Sequence, residues 1–96
     1  MKILSKILFE KIKHVNEIGQ EYWSARELSE GLDYAQWRNF LKVIEAAKAA
    51  CKNSKQEPTD HFAEVSKMVV LGSGSQREID DFHLTRYACY LIVQNA

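Results

Sequence analysis

Four acidic residues in the last 40 positions are the side chains whose types could hold a metal ion: Asp60, Glu78, Asp80 and Asp81. A magnesium-dependent nuclease uses such carboxylates, but it also needs a lysine at a fixed distance after them, and none follows here. Carboxylates at alternate positions of a strand usually face solvent. The three histidines and two cysteines lack the spacing of zinc ligands. The sequence therefore predicts no metal site and no cofactor.

Nucleophilic chemistry is also poorly supported. Ser73 and Ser75 lie in a glycine-rich turn, with no histidine or carboxylate placed nearby in the sequence to activate them. The same turn lacks the lysine and the following hydroxyl of a nucleotide-binding P-loop. Enzymes are the weakest class for this chain, and we expect a protein that acts by binding.

Polar and cationic residues on one predicted helix offer a candidate binding face. Arg38 and Lys42 could contact phosphates, and Gln36 and Asn39 occupy the early helical positions that usually reach base edges. The alternative is an ordinary solvated helix face. The chain has 13 basic and 13 acidic residues, so it has no overall positive field. That neutrality slightly favours the solvated face.

The charge is nevertheless uneven. Residues 1–56 contain 10 Lys and Arg against 7 Asp and Glu, whereas residues 57–96 contain 3 against 6. This asymmetry could orient a partner but could not hold DNA alone.

Three further residues complete the candidate surface. Gln76 and Arg77 follow the Gly-Ser-Gly-Ser turn, which could act as a wing against a phosphate, although a plain connection between two strands is the favoured interpretation. Arg86 begins the last predicted helix. If Arg38, Lys42, Arg77 and Arg86 form one continuous positive surface, DNA binding is favoured over protein binding.

Aromatic residues could stack on single-stranded bases. Helical spacing instead predicts that Trp37, Tyr87 and Tyr90 belong to the core, which leaves Tyr22 and Tyr34 as the more exposed rings. Stacking is therefore unsupported by the pattern.

The amino-terminal segment has apolar residues at intervals of three and four, which predicts an amphipathic helix over 3–15. A rival interpretation places two short strands, at 12–15 and 21–23, around a turn at 16–19. The apolar face of a helix over 3–15 is wider than one neighbour would cover, so a homodimer through this helix is also predicted.

Ser24 and Glu27 have capping-box spacing, which predicts the start of a short helix. A second helix is predicted from about Tyr34 or Ala35, with Asp33 as its cap, to about 53. The residues on its apolar face are Trp37, Phe40, Leu41, Ile44, Ala47 and Cys51.

The remaining elements are a loop at 52–60, a short helix over 61–68 and a hairpin with strands at 68–71 and 77–82. A last helix begins at Arg86 with Thr85 as its cap. The order predicts a single α+β domain over 1–96, mostly helical and winged-helix-like, with a helix-turn-helix followed by a hairpin.

No apolar run approaches the roughly 20 residues that span a bilayer, and no secretory signal is recognised, so a cytoplasmic protein without membrane contact is expected. Cys51 and Cys89 lie in apolar helical patterns, which is typical of free, buried thiols.

Five blocks closely resemble the DNA-damage-inducible protein D family of bacteria. They are FEKIKH at 9–14, EYWSAREL at 21–28, WRNF at 37–40, DHF at 60–62 and RYACYLIVQN at 86–95. The second and fifth blocks are long and rich in uncommon residues. Lys55 departs from the family pattern, where a glycine is expected, and residues 1–8 lie outside the similarity.

The resemblance implies an amino-terminal domain related to the Bro amino-terminal domains of phage and viral antirepressor-like proteins, some of which bind DNA. It also implies induction in the SOS response and modulation of the recombinase filament that forms on single-stranded DNA. We therefore expect the chain to bind that filament or another repair partner. Family members continue beyond the last residue of this chain. No catalytic residue is implied.

Overall fold

A computed structural model describes residues 5–96, which form five helices and four strands. In chain order the elements are α1 (Lys6–Lys11), β1 (His14–Val15), β2 (Glu21–Ser24), α2 (Ala25–Gly31), α3 (Trp37–Asn53), α4 (Pro58–His61), β3 (Phe62–Val70), β4 (Gln76–Leu84) and α5 (Arg86–Asn95).

The strands form one antiparallel sheet in the order β1-β2-β4-β3. β3 and β4 pair along their whole length, from Phe62 opposite Leu84 to Val70 opposite Gln76. β2 meets β4 only at the end of β4 that lies nearest the core, where Trp23 is opposite Leu84. The outer half of the β3-β4 hairpin is therefore a two-stranded arm that extends beyond the rest of the sheet.

Side-chain caps define the starts of four helices, three of them through a hydroxyl group. The hydroxyl of Ser5 accepts a hydrogen bond from the Leu8 amide, and the hydroxyls of Ser24 and Thr85 do the same at α2 and α5. The predicted caps at Ser24 and Thr85 are confirmed. The predicted cap of α3 is wrong, since Asp33 has a positive φ of 63° in the preceding turn and the helix begins only at Trp37.

The core lies between one face of the sheet and the helices α2, α3 and α5. Its buried apolar members are Trp23, Ala25, Leu28, Leu32, Phe40, Ile44, Ala47, Cys51, Phe62, Phe82, Leu84, Ala88, Cys89, Leu91 and Ile92. Trp37 and Leu41 are half-buried at the edge of this cluster. The predicted inward face of α3 is confirmed, since the side chains of Phe40 and Ile44 are wholly buried.

The prediction of one helix over 3–15 is wrong beyond Lys11, and its first two residues lie outside the described part of the chain. β1 pairs with β2 instead, so the rival interpretation of two short strands around a turn is the correct one. The turn forms because the Asn16 side-chain oxygen accepts bonds from the amides of Ile18 and Gln20, and Gly19 supplies the positive φ of 83°.

The predicted short helix over 61–68 is also wrong, because residues 62–68 belong to the nine-residue strand β3 and His61 ends α4. Its β-branched residues favour a strand, and pairing with β4 along its whole length outweighs the weak helical periodicity. The predicted hairpin is present but longer than expected. A single helical turn, α4, occupies the end of the predicted loop, with Pro58 at its start and Glu57 as its cap.

Three aromatic predictions need correction. Tyr34 is half-buried rather than exposed, and its ring lies edge-on to the Phe40 ring with the centres 5.1 Å apart. Tyr90 is 65% exposed rather than part of the core, because it lies on the outer side of α5. Tyr22 is half-buried between the rings of His14 and His83 rather than exposed. The α+β class is confirmed, whereas "mostly helical" is not, since helices account for only about half of the chain.

Candidate binding surface

The outward side of α3 carries the predicted binding residues. Arg38 and Lys42 are exposed one helical turn apart, and Lys52 follows on the same side. At 3.6 residues per turn these three cations lie within an arc of about 80°, opposite Phe40 and Ile44, and extend over about 21 Å. We call this set the α3 stripe; it comprises Arg38, Lys42, Glu45, Ala49 and Lys52.

The cations of the α3 stripe are unpaired within residues 5–96. Neither Arg38 nor Lys42 makes an ion pair or a side-chain hydrogen bond there, in contrast to Lys48, which lies 3.5 Å from Glu45 and 4.0 Å from Glu64. Glu45 is the single acid of the stripe, and its carboxylate approaches Lys48 rather than the stripe cations. The stripe therefore presents a local positive charge on a chain whose total charge is zero.

Gln36 and Asn39 lie beside the start of the stripe. Both are exposed, and the Gln36 side chain does not cap α3. Their side-chain amides are free to donate and accept hydrogen bonds at the first turn of the helix. The structure thus brings four of the predicted residues together: Gln36, Arg38, Asn39 and Lys42.

The predicted wing residues lie at the far end of the hairpin arm. Gln76 and Arg77 are exposed at the start of β4, directly after the turn. The turn is a three-residue connection in which the Gly74 amide donates to the Leu71 carbonyl and Gly74 has a φ of 86°.

Arg86 occupies a different place and makes internal contacts. Its guanidinium donates to both carboxylate oxygens of Glu21, at 2.8 and 3.0 Å, and to Glu10 at 3.1 Å. It also lies 5.1 Å from the centre of the Trp23 ring. The hydrogen bonds from Arg86 lower the pKa of both carboxyls, and the two carboxylates raise the pKa of Arg86.

Arg38, Lys42, Arg77 and Arg86 do not form one continuous positive surface. Arg77 and Arg86 are separated by almost the whole of β4, which corresponds to about 25 Å. Arg86 is neutralised by two carboxylates, whereas Arg77 lies on the arm. Of the four predicted cations only Arg38 and Lys42 lie on one element, and the four-residue surface is not present.

Sequence reasoning missed a groove at the junction of β2, β4 and α5. It has a volume of about 730 Å³ and is lined by Tyr22, His83, Tyr87, Asp60 and Glu21, among others. The rings of His14, Tyr22 and His83 stack along the sheet, with centres 5.2 and 4.2 Å apart. Once these segments are taken as paired strands, His14 lies directly opposite Tyr22, so both rings are expected on the same face of the sheet.

Asp81, one of the four carboxylates considered as metal ligands, stabilises the fold instead. It is buried, accepts hydrogen bonds from the Ser24 hydroxyl at 2.6 Å and the Arg26 amide at 3.0 Å, and lies 3.4 Å from the Lys67 ammonium. The other acids of that set, Asp60, Glu78 and Asp80, are exposed. Among residues 5–96 no three potential metal-binding side chains come together.

Both cysteines are free and buried. Burial raises the pKa of Cys89 to about 12, and burial also raises the pKa of Cys51. Neither thiol has the acidic, accessible character of a nucleophile.

The chain belongs to the BRO family: the model of the family's amino-terminal domain matches residues 11–96. It is also 49% identical over 87 residues to the DNA damage-inducible protein D of Escherichia coli strain K12. That alignment covers 91% of this chain and 32% of the relative, so the chain spans about a third of that protein. The resemblance drawn from the five sequence blocks is confirmed.

No solved structure matches the chain. In the described part of the chain no helix is both long and apolar enough to cross a membrane.

Proposed function

We propose that this domain is the non-catalytic binding module of a cytoplasmic, DNA-damage-inducible regulator, and that it binds the recombinase filament on single-stranded DNA through the α3 stripe. The observation that carries the proposal is the group of unpaired cations, Arg38, Lys42 and Lys52, on the outward side of a helix whose other side is fixed in the core. The 49% identity to a DNA damage-inducible protein supports the biological setting.

A filament of protein on DNA suits this surface better than naked DNA does. The stripe has only three unpaired cations and the whole chain is neutral, so the long-range attraction to phosphates is weak. A protein surface can add hydrogen bonds to Gln36 and Asn39 and needs fewer charges for orientation. The rigid helix also presents these side chains with little loss of backbone entropy.

The test uses interferometry with the assembled recombinase filament, with single-stranded DNA alone as the comparison. We expect the wild-type chain to bind the filament, and the double variant Arg38→Ala, Lys42→Ala to bind at least about ten-fold more weakly because two charge contacts are lost. The matched control is Lys6→Ala, Lys11→Ala, which removes the same charge from exposed positions of α1.

Two results would contradict the proposal. One is no affinity of the wild-type chain for the filament. The other is an equal loss of filament affinity in the α1 and α3 double variants, which would mean that binding depends on the total charge of the chain and not on the α3 stripe.

DNA binding in the manner of a winged helix is the second candidate. It is favoured by the order of the elements along the chain, β2-α2-α3-β3-β4. β2 pairs with β4 in the sheet, and the two helices α2 and α3 follow β2 in the sequence before the β3-β4 hairpin. In this arrangement α3 is the recognition helix, and Gln76 and Arg77 belong to the wing.

A mobility-shift titration at low salt, on duplex and single strands, tests this candidate. We expect the Arg38→Ala, Lys42→Ala variant to reduce the slope of log K against log salt by about 2, one per lost phosphate contact. A complex with an unchanged slope, or no complex on either form of DNA, would remove the candidate.

A further inference from the structure

A row of stacked rings crosses three strands of the sheet and stops before the fourth. The rings belong to His14 on β1, Tyr22 on β2 and His83 on β4, and their centres are 5.2 and 4.2 Å apart. The residue opposite His83 on β3 is Ala63, whose side chain is a single exposed methyl group. Because neighbouring strands lie about 4.8 Å apart, the space above Ala63 is about one stacking distance from the His83 ring. The row of rings therefore ends in an open position beside His83.

The open position belongs to the groove at the junction of β2, β4 and α5. The lining of the groove includes Ala63, His83, Asp60 and Tyr87. Its volume of about 730 Å³ lies within the range of about 300–1,000 Å³ that is typical of ligand sites. Within residues 5–96 the exposed carboxylate of Asp60 has no hydrogen-bond or salt-bridge partner. The groove thus combines an aromatic ring, an open space next to that ring and an available carboxylate.

The charges around the groove favour a cation. Arg86 lines the groove but is bound to both Glu21 and Glu10, so two carboxylates outnumber its one guanidinium. Asp60 adds a further negative charge. Residues 57–96 as a whole contain 3 Lys and Arg against 6 Asp and Glu. A phosphate would therefore meet net repulsion here, whereas a cation would be attracted.

The guanidinium group of arginine has the chemistry that these features require. It is planar, it stacks on aromatic rings, and it pairs with a carboxylate through two parallel hydrogen bonds. The ammonium group of lysine is a compact charge without a plane that could stack. We propose that the groove binds an arginine side chain of a partner protein, with its guanidinium stacked on His83 above Ala63 and paired with Asp60.

This site is separate from the α3 stripe. Leu84 and Phe62 point into the core, which α3 covers. The adjacent residues His83 and Ala63 therefore point to the opposite face of the sheet. A partner can occupy the groove while the α3 stripe stays exposed. The site also differs from the homodimer predicted through the amino-terminal helix, which stays a prediction; in that helix Ile7 is 83% exposed.

Solution NMR of the isotope-labelled chain tests the site. The probe is an acetylated and amidated peptide with one arginine between glycines. Matched peptides carry lysine, or citrulline, which is the neutral planar analogue of arginine, at the same place. We expect the arginine peptide to shift the signals of Ala63 and His83 in a saturable manner, because the guanidinium contacts both residues. The lysine and citrulline peptides should bind at least about five-fold more weakly, because one lacks the plane and the other lacks the charge.

Substitutions separate the role of the charge from the role of the open space. Asp60→Asn keeps the size of the side chain and should weaken binding of the arginine peptide at least about five-fold. The matched control Glu78→Gln removes one charge from an exposed position outside the groove and should change the affinity little. Ala63→Phe places a fourth ring in the open position and should abolish binding, whereas Ala63→Ser should bind like the wild type. Aromatic residues are favoured in strands, so Ala63→Phe should keep the fold, which circular dichroism verifies.

Several results would overturn the proposal. One is the absence of saturable shifts with the arginine peptide up to about 20 mM, and another is equal affinity for the arginine and lysine peptides. Retained binding in Ala63→Phe, or equal effects of Asp60→Asn and Glu78→Gln, would show that the open position and its carboxylate are not used. Tighter binding of a thymidine oligonucleotide at the same signals would assign the position to a base of single-stranded DNA. Tighter binding of free arginine than of the peptide would assign it to the amino acid.

Discussion

Replacing Asp81 with alanine tests whether one buried carboxylate joins the hairpin to the start of α2. The Asp81 side chain accepts a hydrogen bond from the Ser24 hydroxyl at 2.6 Å and one from the Arg26 amide at 3.0 Å. Bonds to a charged group contribute about 1.5–3 kcal/mol each, and they do not add fully. We therefore expect the free energy of unfolding to fall by about 3 kcal/mol, since the Ser24 hydroxyl and the amides of Arg26 and Phe82 lose their partner.

For a chain of 96 residues, that loss corresponds to a decrease in the melting temperature of about 12–20 °C. The assay is urea denaturation followed by circular dichroism, together with a thermal melt. Lys67→Gln is the matched control, because it removes only the partly exposed ammonium near the same carboxylate and should cost at most about 1 kcal/mol.

A double-mutant cycle separates the pair from the rest of the site. Ser24→Ala alone should cost about 1–2 kcal/mol, because Ser24 also caps α2. Combined with Asp81→Ala, it should show a coupling of at least about 1 kcal/mol. A loss below about 1 kcal/mol for Asp81→Ala, or additive effects of the two substitutions, would refute the reasoning.

Two further predictions concern ionisation. Arg86 lowers the pKa of Glu10 and Glu21 below the ordinary value of 4.5, so the stability that it confers is present above that pH and is lost as the pH falls through the lowered values. Arg86→Gln should therefore flatten the acid limb of a plot of melting temperature against pH; an unchanged limb would contradict the assignment. Cys89, whose pKa burial raises to about 12, and Cys51 should react with a thiol reagent at pH 8 only after denaturation, and rapid labelling of the native chain would contradict their burial.

The sequence was sufficient where local chemistry and packing agree. The caps at Ser24 and Thr85 use hydroxyl groups next to helical patterns, so the starts of α2 and α5 were predicted correctly. The inward face of α3 was also predicted, because apolar residues recur along 17 residues of helix. The four neighbouring candidate residues of α3 followed from that periodicity.

The errors arose where distant pairing decides the structure. The segment that begins at Phe62 has weak helical periodicity, and only its partner β4 makes it a strand. His14 and Val15 continue an apolar helical pattern, yet the turn at Asn16 and Gly19 folds them against β2. Short segments of this kind are not determined by their own residues.

The internal role of Arg86 was likewise beyond the sequence. Its partners Glu10 and Glu21 are 76 and 65 positions away, and nothing in their spacing connects them. From the sequence, Arg86 at the start of α5 is therefore predicted to be free to bind a partner, although in the fold it is bound to two carboxylates. The same holds for Asp81, whose partner Ser24 is 57 positions away.

The attachment of the arm has a mechanical consequence. Because β2 pairs with β4 at only two positions, the hairpin is held beyond that pairing by the bonds of Asp81 to Ser24 and Arg26 and by the bond from the Arg26 guanidinium to the Asp80 carbonyl. Arg26 also stacks on Trp37, at 4.0 Å from the ring centre, at the first residue of α3. A load on the hairpin is therefore carried through these contacts to Trp37 at the start of α3, while the buried side chains of Phe40 and Ile44 hold that helix in place.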